Sequence, residues 1–158
     1  MKNKTLKNIR VCCYVALAFS IVWAALTVSN FIVIFWGKFA SSHPMDWSTN
    51  TTMKTIVLTC YLLGSVAMIV LCAKTVFNTL KGIRENTVFP RSNEKLLFWI
   101  SLADFIYLVG SRNFPILWKE DVAFQLTHTN FVTPFFLLFF AFMYKVAADA
   151  VEENNLTI

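Results

Sequence analysis

Four long apolar runs separated by polar, charged stretches dominate the pattern of this chain. They fall at about 11–36, 55–77, 96–112 and 131–148, and each is read as a helix that crosses a membrane. The first follows a basic start with Lys2, Lys4, Lys7 and Arg10, then runs from Val11 to Trp36 without a charge. A signal peptide begins in the same way, but this run is about twice as long as a signal core, so it is read as a retained anchor. The second just spans a hydrocarbon core of about 30 Å at a rise of about 1.5 Å per residue. The third is the shortest, and Asp104 interrupts it. The fourth follows Asn130, a candidate cap, with Pro134 expected in its first turn. Phe131, Phe135, Phe139 and Phe142 share one face of that helix.

Between the runs lie two outer loops, 37–54 and 113–130, and a basic connector, 78–95. Gly82 is expected to stop the second helix, and the Ser92 hydroxyl to cap the third. Either Arg112 reaches outward from the third helix, or the apolar piece 113–118 lies along the outer interface. Lys and Arg number four in the N-terminal segment, five around the connector (Lys74, Lys81, Arg84, Arg91, Lys95) and one at Lys145. Only Lys38, Lys54, Arg112 and Lys119 flank the opposite ends, which places both termini and the connector inside. The expected architecture is all-α and a single domain, 1–158: an integral membrane four-helix bundle of two helical hairpins, N-in and C-in.

Composition agrees with this class. With 57% hydrophobic and 15% charged residues, the chain is too apolar for an ordinary soluble domain. The net charge of +5 marks the ends of the runs and gives no basic domain for direct nucleic-acid binding. Cys12, Cys13, Cys60 and Cys72 sit in or beside apolar segments without ligand spacing, and His43 and His128 carry no ligand signature. No metal, cofactor or catalytic residue is expected, and the chain is read as a protein that is not an enzyme. Ala16, Ser20 and Ala24 on the first run, and Cys60, Gly64 and Cys72 on the second, read as packing ridges.

One polar residue stands out. Asp104 falls near mid-depth with no basic residue at its level, so the neutral acid is expected there, held by neighbours such as Ser20, Trp23, Thr27 and Ser65. Two roles remain open: a helix-to-helix hydrogen bond that fixes packing, or a proton or cation site in a small transporter or channel subunit, with two or more copies around a path.

The connector and the tail carry the other candidate chemistry. The stretch from Gly82 to Phe89-Pro90-Arg91-Ser92-Asn93-Glu94-Lys95-Leu96 resembles the short signature of a bacterial four-span integral membrane family, domain of unknown function 2975. The ending Glu152-Glu153-Asn154-Asn155-Leu156-Thr157-Ile158 is similar to the acidic tail of that family, which closes in Leu-Thr-Ile. The resemblance covers nearly the whole chain and implies four spans in the bacterial inner membrane. Because members are often encoded beside a small helix-turn-helix regulator, it also implies a sensing or sequestering role toward such a partner. Phe89, Arg91, Asn93, Glu152, Glu153, Leu156 and Ile158 are the expected partner residues, and the expected function is that of an accessory or regulatory membrane protein acting through contacts.

Overall fold

The computed structural model describes residues 2–40, 49–85, 87, 89–119 and 122–156, with side-chain surroundings only from 4 to 33 in the first helix and up to 153 in the last. The described residues form four α-helices and no strand: α1 (Lys2–Ala40), α2 (Thr51–Arg84), α3 (Ser92–Arg112) and α4 (Thr129–Leu156). A single turn of 3-10 helix, Phe114–Leu117, follows α3. Three of the helices, α1, α2 and α4, are long and apolar enough to cross a membrane.

Each helix packs on its neighbour in sequence: α1 on α2, α2 on α3, α3 on α4. All three pairings are antiparallel. On α2 and α3, Gly64 meets the backbone of Tyr107 while Gly110 meets that of Tyr61. On α3 and α4, Glu94 pairs with Lys145, Ser101 reaches Pro134 and Phe105 packs on Phe131. On α1 and α2, the Asn30 amide donates to the Tyr61 hydroxyl at 2.9 Å. Side chains from all four helices converge where Trp23 and Leu137 pack on the cluster of Met68, Ile100 and Ala103.

This arrangement explains why the third apolar run is the weakest. Helix α3 is flanked by α2 and α4 and buries Asn93, Leu96, Ile100, Ser101, Ala103, Asp104 and Gly110, so much of its surface meets protein. A helix so placed can carry polar residues that a lipid-facing one cannot. By contrast, Phe131, Phe135, Phe139 and Phe142 on α4 all point outward, Phe135 with 66% of its surface exposed.

The helices extend beyond their apolar runs, because backbone hydrogen bonding continues into the polar flanks. Gly82 does not stop α2, which continues to Arg84 and has no glycine with positive φ. Its missing side chain serves close approach instead: a Cβ there would lie 2.6 Å from the Thr87 carbonyl oxygen. Ser92 is the first residue of α3 and makes no capping bond. Asn130 does not cap α4 either; its Oδ1 reaches back to accept from the Thr127 N–H at 2.9 Å. Pro134 lies inside α4, past its first turn, because the helix begins at Thr129.

The end of the molecule remote from the connector is closed by the 3-10 turn. Ile116 and Leu117 bury against Val57 of α2, so this piece packs inward while Arg112 stays exposed. Asn113 holds the following strand of chain: its amide donates to the Val109 and Gln125 carbonyls, and its Oδ1 accepts from the Gln125 N–H at 2.7 Å. Lys54, counted among the outer flanking charges, is only 2% exposed.

Candidate functional site

Among the described residues, the candidate site residues fall in two places: a layer inside the helices and a clasp between the connector and α4. The inner layer is built on the face of α1 that carries Cys13, Ala16, Ser20, Trp23, Ala24 and Thr27, all buried or half-buried. Trp23 packs edge-to-face on Tyr107, with centroids 5.4 Å apart, and Tyr107 in turn packs on Tyr61. Around these rings lie Thr27 on α1, Ser65 on α2 and Asp104 on α3. Asp104 is three residues from Tyr107, Ser65 adjoins Gly64 and Thr27 is four residues from Trp23, so the three lie within about one helical turn in depth.

Asp104 is buried, as its position predicts, but its expected partners do not hold it. The Ser20 hydroxyl turns back to the Ala16 carbonyl of its own helix at 2.9 Å, and Trp23 is engaged with Tyr107 through its ring. Asp104 Oδ2, Thr27 Oγ1 and Ser65 Oγ are all buried without a hydrogen-bond partner among the described residues. An unsatisfied polar atom of this kind costs about 1–3 kcal/mol. The layer therefore has acceptor and hydroxyl capacity that the described residues do not use.

The clasp forms where the chain leaves α2. The Thr87 N–H donates to the Gly82 carbonyl at 2.8 Å and folds the connector over the glycine. Phe89 then packs edge-to-face on Tyr144 of α4, centroids 5.4 Å apart, and the Tyr144 hydroxyl donates to the Pro90 carbonyl at 3.0 Å. Arg91 pairs with Asp149 at 3.0 Å and also with Glu152. Lys145 and Glu94 make a looser pair at 3.8 Å. Exposed pairs of this sort stabilise by at most about 1 kcal/mol, so the aromatic contact and the half-buried Tyr144 hydroxyl do more to hold the fold.

Of the expected partner residues, Phe89, Arg91 and Glu152 come together here. Asn93 does not belong to an outer surface: it is fully buried, and its amide donates to the Thr79 hydroxyl at 2.9 Å and the Thr75 carbonyl at 3.2 Å. Its short amide points back between α2 and α3 because it lies on the inward face of α3's first turn. Glu153 is exposed, the side chain of Leu156 and the whole of Ile158 lie outside the described residues, as do His43, Asp46, Glu120 and Asp121. Tyr144, Lys145 and Asp149 were not legible as members of the site. The signal was present in the spacing: Asp149 and Glu152, three apart, share a helical face and offer one basic group two carboxylates.

Among the described residues no group of three or more His, Cys, Asp and Glu side chains converges as a metal site. His128 is exposed and lends its backbone carbonyl to the start of α4. No protein-family model matches this chain, and no match is found among curated proteins or solved structures.

Proposed function

We propose that this chain is a multi-pass protein of the bacterial inner membrane that acts through protein contacts and performs no catalysis of its own. Three helices with the length and apolarity to cross a membrane support the membrane setting. The excess of Lys and Arg around the N-terminus and connector supports an inward orientation of both chain ends. The resemblance of the connector and tail to the four-span family supports a bacterial source and a cytoplasmic helix-turn-helix regulator as the partner.

The observation that carries the partner reading is the joining of Arg91 to Asp149 and Glu152. Connector and α4 end thereby present one continuous surface of mixed charge, with Arg91, Ser92, Lys95 and Glu152 all exposed. Such a surface suits a folded partner better than a small molecule. The test is affinity recovery of the intact protein from native membranes in mild detergent. Phe89→Ala, or deletion of 156–158, abolishes recovery of the regulator on this reading; unchanged recovery from both rejects it.

A second reading rests on Asp104 Oδ2, Thr27 Oγ1 and Ser65 Oγ, buried without a partner among the described residues. Buried polar oxygens on three helices suit a proton or cation path through an oligomer of this chain, the chemistry of a small transporter or channel subunit. Proton-dependent uptake into liposomes that is lost on Asp104→Asn supports it.

A further inference from the structure

At the connector end, α3 and α4 part to leave an open groove of about 220 Å³. Phe98 and Trp99 of α3 face Leu138 and Phe142 of α4 across it, and the buried Ala141 lies between them. The volume is below the roughly 300–1,000 Å³ of sites that enclose a drug-sized ligand, and three of the four wall residues remain exposed. The groove thus fits the first part of one chain-like apolar group lying along the helices.

Charge is confined to one end. Lys95 precedes Phe98 by one turn, Lys145 follows Phe142 by one turn, and antiparallel packing brings both lysines to the same mouth. Glu94 shares that mouth and pairs with Lys145 at 3.8 Å, while Lys95 has no ion pair among the described residues. One acid set against two ammonium groups leaves the mouth net positive. In the orientation proposed above, this mouth lies at the headgroup level of the inner leaflet and the aromatic walls lie just inside it.

We propose that the groove seats one anionic phospholipid, with an acyl chain between α3 and α4 and the phosphate between Lys95 and Lys145. The proposal rests on the membrane reading but not on the partner reading. Two ammonium groups favour a net negative headgroup over a zwitterionic one, and each lysine near the surface strengthens binding about fivefold. Glu94 opposes the phosphate and competes for Lys145.

Native mass spectrometry of the detergent-purified full chain, titrated with phosphatidylglycerol or phosphatidylcholine, tests this. One phosphatidylglycerol is expected to bind in preference to phosphatidylcholine. Lys95→Gln and Lys145→Gln each weaken phosphatidylglycerol by about fivefold, and together they abolish the preference. Glu94→Gln strengthens it, a gain that misfolding does not produce. Phosphatidylglycerol brominated on its acyl chains quenches tryptophan fluorescence, and Trp99→Phe removes much of that quenching.

A preference that survives the double lysine substitution, or weaker binding by Glu94→Gln, overturns the proposal. So does a lipid-independent dimer broken by Phe98→Ala, which assigns the groove to a second copy. Recovery of the folded chain without detergent overturns both this proposal and the membrane reading, whereas loss of the preference in a detergent-dependent protein overturns the lipid site alone.

Discussion

Gly64 of α2 lies directly against the backbone of Tyr107 on α3, so close that a Cβ at Gly64 would sit 2.5 Å from the Tyr107 Cα. Gly110 repeats the relationship in reverse, with a Cβ there 2.6 Å from the Tyr61 Cα. The two glycines set the spacing of the central helix pair, and backbone on both sides leaves no flexible group to move aside. Overpacking of this kind costs about 1–3 kcal/mol. Gly64→Ala and Gly110→Ala are therefore expected to lower the unfolding temperature in detergent, and Gly64→Val more so. Unchanged unfolding in both alanine variants rejects this packing.

Asn93 gives a second prediction. Buried beside Thr75 and Thr79, it ties the start of α3 to the late turns of α2. Asn93→Ala removes both bonds and leaves the Thr75 carbonyl and Thr79 hydroxyl with fewer partners, a cost of about 1–3 kcal/mol. A double-mutant cycle with Thr79→Val, read by thermal unfolding, should show coupling; strict additivity speaks against the bond.

The clasp behaves differently. Arg91, Asp149 and Glu152 are well exposed, so Arg91→Gln changes global stability by no more than about 1 kcal/mol. The end of α4 nevertheless loses its tether to the connector. Hydrogen exchange over 149–153 is expected to speed up in Arg91→Gln, and in the unaltered protein at high salt, while the middle of α3 stays protected. Equal exchange in both proteins shows that the pair does not hold the tail.

Asp104 supplies a prediction with the opposite sign. Its buried Oδ2 lacks a partner among the described residues, so replacement relieves a cost and breaks no hydrogen bond. Asp104→Asn should express normally and unfold at the same or a higher temperature, and Asp104→Leu should be more stable still. A marked loss of stability in both would mean that the carboxyl is held after all.

Much of this fold could be read from the chain because helices long and apolar enough to cross a membrane announce themselves: α1, α2 and α4 carry long apolar runs whose large side chains point outward. Helix α3 was harder to read because it is flanked by α2 and α4, and its face between those neighbours carries the buried Asp104, Ser101 and Asn93. Local signals at the helix ends misled in an instructive way. Gly82, Ser92 and Asn130 are residues that often start or stop helices, yet here Gly82 makes room for the Thr87 carbonyl, Ser92 opens α3 without a capping bond and Asn130 accepts from the Thr127 N–H. The connector and tail were legible as distinctive stretches. That Tyr144 and Asp149 bind them to each other depends on the antiparallel register of α3 and α4, which no local pattern encodes.

The helices are proposed to cross a bilayer with the connector inside. In a variant whose four native cysteines are replaced by alanine, a single cysteine is placed at Thr87 in the connector or at His128 before α4, both exposed positions. A membrane-impermeant thiol reagent added to intact cells should modify His128→Cys at once and reach Thr87→Cys only after the membrane is broken. Modification of Thr87→Cys from outside in intact cells would contradict the account.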